Sequence, residues 1–200
     1  MPTFRFTTVT ALVKESAGGE GSAAPDLPPL LPSSTGPGGY EWGTAVHTLL
    51  QATARGATGD RMQALGRVLL LELDRPARAG EPTELDALIR TVEGVRESSI
   101  WRRAQASELR VAEVPFALQV GEAAAYLEGV IDLAFREADG WVLADYKSDR
   151  GDDPELASRR LRYREQIRRY GEAWSRLTGE PVKERVILWT RTGTEERVEP

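Results

Sequence analysis

GVIDLAFREADGWVLADYKSD, residues 129–149, holds two apolar runs rich in Val, Ile, Leu and aromatic residues, with EADG between them. Runs of this length and composition bounded by turn residues predict β-strands, and the Asp-Gly turn joins them most simply as a hairpin over residues 126–148. Side chains alternate along a strand, so Ile131, Leu133 and Phe135 are expected on one face and Val130, Asp132 and Ala134 on the other. On the second strand Asp145 and Lys147 share a face with Trp141 and Leu143, alternating with Val142, Ala144 and Tyr146. If the register brings Asp132 to that face, two carboxylates and an ammonium converge inside otherwise apolar strands. Unpaired charge in such a place is very costly, so the cluster calls for a compensating partner.

A divalent cation is an economical one. Two aspartates offer hard oxygen ligands suited to Mg²⁺ or Mn²⁺, which keep several waters and take further oxygens from a substrate phosphate. The Tyr146 carbonyl, between Asp145 and Lys147, offers another oxygen. Charged Lys147 is no ligand, but it is placed to touch a phosphate or orient an attacking water. Together these groups make the arrangement of metal-assisted phosphodiester hydrolysis. Asp-x-Lys on a strand is also the pattern of a surface ion pair, and Asp132 taken alone also suits a pairing with arginine.

Outward from the hairpin, LRVAEVPFAL and ERVILWTRT read as two further strands, and PELASRRLRYREQIRRYGEAWSRLTG as a long helix closed by Gly179, with Pro181 beyond. In the first half, GTAVHTLLQATA places Val46, Leu49, Leu50 and Thr53 on one helical stripe with His47 at its edge. Helices also fit DRMQALGRVLLLELDR and TELDALIRTVEGVRESS, the latter started by Pro82 and Thr83. Helices, then strands, then a helix and a strand predict an α/β fold: a mixed central β-sheet flanked by α-helices. Residues 16–39, rich in Gly, Pro and Ser, read as a flexible loop, with FRFTTVTALVK before it as a short strand or helix start. One domain over residues 1–200 is expected, since this length and a 40% hydrophobic content suffice for one core.

Composition excludes several chemistries. The chain has no cysteine, which removes disulfides, thiolate zinc sites, iron–sulfur clusters and cysteine nucleophiles. No apolar run approaches the about 20 residues of a membrane span, and no signal peptide opens the sequence, so a soluble cytoplasmic protein is expected. A net charge of -5 argues against a uniformly basic surface for nucleic acid, though not against a local stripe. The last long helix carries such a stripe: Arg159, Arg162, Tyr163, Gln166, Arg169 and Tyr170 fall on one side, as phosphate tracking and base stacking require. A solvated face is the alternative there, and for the row Arg160, Arg164 and Arg168 a solvated or salt-bridged face is the preferred reading. Trp101 and Trp174 read as core, and Glu41, Glu128 and Asp149 as surface charges.

GTAVHTLL, AEVPF, LEGVIDLAF, LADYKS and YREQIRRYGEAW stand in the order and approximate spacing of the nuclease domain of AddA- and RecB-type helicase-nucleases. The chain therefore resembles that branch of the PD-(D/E)XK superfamily, which includes lambda exonuclease and many restriction enzymes, from about Val9 to its C-terminus. The resemblance implies a restriction-endonuclease-like core and Mg²⁺-dependent hydrolysis of DNA. It makes His47, Asp132, Asp145 and the Tyr146 carbonyl metal ligands and Lys147 the catalytic lysine. Glu113 matches an acidic position acting through water or on a second ion, and Gln166 and Tyr170 a pair lining the site and contacting DNA. By itself, a lone histidine on the edge of an apolar helix also suits a hydrogen-bonded core residue. As a ligand it would widen tolerance toward Mn²⁺. The serine of DYKS stands where the family usually has threonine. With no Walker A segment, the chain is expected to be the nuclease part alone, acting on single-stranded or free-ended DNA beside a helicase motor during recombinational repair of double-strand breaks. A stand-alone exonuclease or endonuclease, and a non-catalytic module that binds DNA or protein, are the alternatives.

Overall fold

The computed structural model of the chain describes residues 5–11, 38–120 and 125–199. The loop expected at 16–39 lies outside the described residues up to position 37, and Gly39 already opens a helix. In chain order the elements are β1 (Arg5–Thr8), α1 (Gly39–Ala54), α2 (Gly59–Glu72), β2 (Ala77–Arg78), β3 (Glu81–Pro82), α3 (Leu85–Arg96), α4 (Ser99–Ala106) and β4 (Arg110–Val120). They continue with β5 (Ala125–Glu137), β6 (Gly140–Lys147), α5 (Leu156–Thr178), β7 (Val182–Trp189) and β8 (Thr194–Arg197).

The hairpin forms where the Asp-Gly turn places it, with Glu137 opposite Gly140 and Leu133 opposite Ala144. It is the middle of a mixed sheet. β5 pairs antiparallel with β4 along one edge, and shares its other edge between parallel β1, at Ala125–Glu128, and antiparallel β6. β6 then runs parallel to β7, and β8 closes antiparallel on β7.

Helices cover both faces, which is why β6 is apolar along almost its whole length. Leu133, Phe135, Val142 and Ala144 pack with Trp42, Leu49 and Leu50 of α1 and with α2 to α4. On the opposite face Ile131, Ala134, Trp141 and Leu143 pack with Tyr170, Ala173 and Trp174 of α5. Each such Leu, Ile or Phe contributes about 1.5–3 kcal/mol by its burial. The α/β architecture is the expected one. α5 ends at Gly179, whose φ of 72° supplies the left-handed cap. Among the described residues no helix is long and apolar enough to cross a membrane.

Two expectations are corrected. Ile131 does not share a face with Leu133 and Phe135: it packs on the α5 side with Ala134, three residues on, so the alternation slips by one at Asp132. The helix read through Ser99 ends at Arg96, and a separate helix starts there because the Ser98 side chain accepts from the Trp101 amide. Trp101 and Trp174 are core, as expected. A buried ion pair went unforeseen: Arg75 binds Glu84 through Nε at 2.8 Å and Nη2 at 2.9 Å. Arg75 Nη1 also donates to the Gly38 carbonyl at 3.3 Å, tying down the entrance to α1.

Candidate active site

The site lies where the hairpin comes apart. The β5–β6 ladder stops at Leu133 and Ala144, whereas β6 stays paired with β7 to Lys147 and Trp189. This divergence frees the Tyr146 amide, which donates to Asp132 Oδ2 at 2.6 Å. The slip of alternation at the same residue turns Asp132 to α1, where its Oδ1 lies 3.4 Å from His47 Nδ1. Across β4, Glu113 sits between the rungs Ala112–Leu133 and Val114–Ile131 with a φ of 52°. A left-handed non-glycine residue costs about 1–2 kcal/mol, strain of the kind functional sites hold. Here it accompanies a carboxylate whose Oε1 reaches His47 Nδ1 at 3.3 Å. His47, Glu113 and Asp132 each offer one ligand atom, all within 4.8 Å of one another. The other ring nitrogen, Nε2, lies 3.2 Å from the Tyr146 carbonyl, placing that oxygen beside the trio.

Asp145 stands apart from the three. It and Lys147 point toward α5, and Lys147 Nζ lies 2.7 Å from Asp145 Oδ2. Lys147 also donates to Gln166 Oε1 at 3.1 Å, and its Nζ stands 4.5 Å from the centre of the Tyr163 ring. Gln166 in turn donates to the Tyr170 hydroxyl at 3.0 Å. Gln166 and Tyr163 of α5 and the Asp145 carboxylate thus hold the lysine from three directions.

Charge balance explains the protonation states. Burial pulls the His47 imidazole down, but the Asp132 charge and the hydrogen bonds the ring donates to Asp132 and Glu113 outweigh it and raise the ring to about 10. Burial pushes the Asp132 carboxyl up, and the His47 charge reverses this to hold it below the ordinary range. For Asp145 burial wins: the carboxyl rises to about 6, helped by the Asp132 charge and only partly opposed by Lys147. Burial would lower the Lys147 ammonium, yet the charges of Asp145 and Asp132 hold it above its ordinary value. The protein groups alone thus leave a buried excess of acid that a proton on His47 balances. The same oxygen and nitrogen donors suit a hard divalent cation, so the residues present fit one.

The expected DNA face of α5 is split. Tyr163, Gln166 and Tyr170 converge on Lys147, but Arg159 is neutralised by Asp149 at 2.7 Å and Asp153 at 2.6 Å. Arg169 pairs with Glu165 at 2.9 Å, while Arg162 is half-buried with no such partner among the described residues. In the second row Arg164 binds Glu196 at 2.6 Å and Arg160 stacks over Trp189, so the salt-bridged reading describes it. Asp149 is a correction: read as a surface charge, its side chain is only 13% exposed. It accepts from Arg159 Nε and from the Tyr163 hydroxyl at 3.0 Å. The faint signal for it was the i, i+4 spacing of those two donors, which means little until the helix is docked. A cleft of about 870 Å³ opens over these groups, with His47 and Glu113 on its floor and α1 as one wall.

The model of the PD-(D/E)XK nuclease superfamily matches residues 26–199. The chain is also similar to curated bacterial proteins named as subunits of ATP-dependent helicase/nuclease. The Desulforudis audaxviator protein is 31% identical over 191 residues, 86% of this chain and 15% of that protein. The Heliobacterium modesticaldum protein is 30% identical over 177 residues, 78% of this chain and 12% of that protein. That of Thermoanaerobacter sp. (strain X514) is 32% identical over 112 residues, 50% of this chain and 9% of that protein. The chain thus spans a small fraction of the length of the relatives it matches.

Proposed function

Because the chain belongs to the PD-(D/E)XK nuclease superfamily, we propose that it is a metal-dependent deoxyribonuclease domain acting in the cytoplasm beside a helicase motor, in recombinational repair of double-strand breaks. The observation that carries this reading is the fork between β5 and β6, which gathers acid, imidazole and lysine at the floor of one cleft. The relatives' name, with its helicase and nuclease halves, supports the motor and through it the DNA substrate.

In this reading His47, Glu113, Asp132 and the Tyr146 carbonyl hold a Mg²⁺ or Mn²⁺ ion, with Asp145 completing the acidic set. When bound, the ion supplies the charge that activates water and stabilises the leaving oxygen. Lys147 orients the attacking water or meets the charge growing on the phosphoryl oxygens, an electrostatic role that depends on its being held in place beforehand. Gln166, Tyr163 and Tyr170 do that holding, and Asp149 fixes the Tyr163 hydroxyl behind it.

The test is degradation of end-labelled linear single-stranded DNA in Mg²⁺, Mn²⁺ or EDTA, with Asp145→Ala alongside. Cutting is expected with either metal, none in EDTA, and a loss of about a hundred- to a thousand-fold in the variant, the scale reached when a preorganised electrostatic group is removed. Circular DNA in parallel separates an exonuclease, which spares it, from an endonuclease. Absence of both cutting and calorimetric metal binding would overturn the catalytic reading.

A further inference from the structure

The two walls of the cleft differ in chemistry. One side carries charged groups, Lys147 and Arg150 together with Arg159 and the Asp149 and Asp153 that pair with it, whereas α1 contributes Tyr40, Thr44, Thr48 and Gln51, none of them charged. Tyr40 stands out in that wall. At 73% exposure it is the most exposed large apolar side chain among the described residues. Its backbone is engaged, since the carbonyl accepts from Thr44 Oγ1 at 3.1 Å, but among the described residues its ring makes no stacking contact and its phenol no hydrogen bond. Its neighbour Trp42 carries the packing of this turn, at 1% exposure. An aromatic ring that the described residues leave unused, lining a cleft over a hydrolytic site, suits a flat apolar ligand.

Resting on the nuclease reading above, we propose that Tyr40 is a substrate-binding residue: a stacking platform for one nucleobase of a single strand whose phosphates run along the Lys147 wall. An uncharged wall offers nothing to a second phosphate backbone, whereas unstacked bases need an aromatic face and uncharged hydrogen-bonding groups. Duplex DNA keeps its bases stacked inside and cannot use the ring. Tyr40 precedes His47 by two helical turns, about 10 Å along α1, which corresponds to about three stacked nucleotides. The base it takes therefore lies a few nucleotides from the scissile phosphate.

Fluorescence anisotropy with a labelled oligothymidylate tests this, in Mg²⁺ and in an Asp145→Ala background that prevents cutting. Tyr40→Ala is expected to weaken binding roughly ten-fold or more, the worth of one base stack. Tyr40→Phe, which keeps the ring, should stay within about two-fold of the parent. An abasic nucleotide at one position should weaken the parent by a similar factor and cost Tyr40→Ala nothing further. Equal affinity of parent and Tyr40→Ala would overturn the proposal, and so would a duplex that binds as well as the single strand with the same dependence on Tyr40. A parent that bound no DNA at all would instead bring down the nucleic-acid reading, an outcome visible without any Tyr40 variant.

Discussion

Asp132 accepts the Tyr146 amide at 2.6 Å and faces the His47 ring at 3.4 Å, so two strands and a helix meet on one carboxylate. Its pairing with His47 has a pH signature. The ring titrates at about 10 in the folded chain against an ordinary 6.5. A raised histidine stabilises fully below its unfolded value and loses that contribution as pH rises through the folded one. In EDTA the melting temperature should therefore fall between pH 6.5 and 10, Mn²⁺ should flatten the fall by replacing the proton, and His47→Gln should remove it. Thermal scans across that range decide the matter, and an unchanged slope in His47→Gln would refute this account. Asp132, Asp145 and Lys147 were legible in the sequence because charges inside apolar strands demand a reason. The closeness of Glu113 to His47 was not, because a φ of 52° in the middle of a strand leaves no mark on the pattern of side chains.

At the scale of elements, the crossing of α5 over β5 holds Lys147 in place. A Cβ on Gly129 would meet Tyr170 Cε1 at 2.8 Å and Phe116 Cε1 at 2.9 Å. Gly129→Ala must therefore push the Tyr170 ring, which accepts from Gln166, which in turn binds Lys147. We expect a loss of about 1–3 kcal/mol in urea denaturation, the usual cost of overpacking, together with reduced cutting. Lost stability with unchanged cutting would mean that the lysine does not depend on this crossing. Helical stripes, the hairpin turn and the Gly179 stop were all readable, since each rests on local periodicity or on one turn residue. The slip at Asp132 was not, because it follows from β6 parting from β5 while it stays paired with β7, a pairing between strands distant in sequence.

Across the whole molecule, one ion network ties α4 to the sheet at the end remote from the cleft. Arg103 binds Glu137 at 2.9 Å and Glu184 at 2.6 Å, and Lys183 joins Glu137 at 2.6 Å. Hydrogen bonds from Arg103 hold the Glu137 carboxyl down to about 2 against an ordinary 4.5. A depressed carboxyl contributes in full above its unfolded value and loses that contribution as pH falls toward the folded one. Arg103→Gln should thus cost about 1 kcal/mol at neutral pH, discounted for partial exposure, and soften the acid limb of the stability profile between pH 4.5 and 2. Denaturation curves over that range check it, and an acid limb as steep as the parent's would refute it. The sequence by itself determined helices α1 to α3 and α5, strands β4 to β7, the apolar character of the central strands and the presence of acid and lysine on the central hairpin, because periodicity and turn chemistry are local. Only the tertiary structure decided which charges meet. Glu113 joins His47 and Asp132, and Arg159 is taken by Asp149, since these distances depend on where the strands diverge and how α1 and α5 dock, and no local pattern records that.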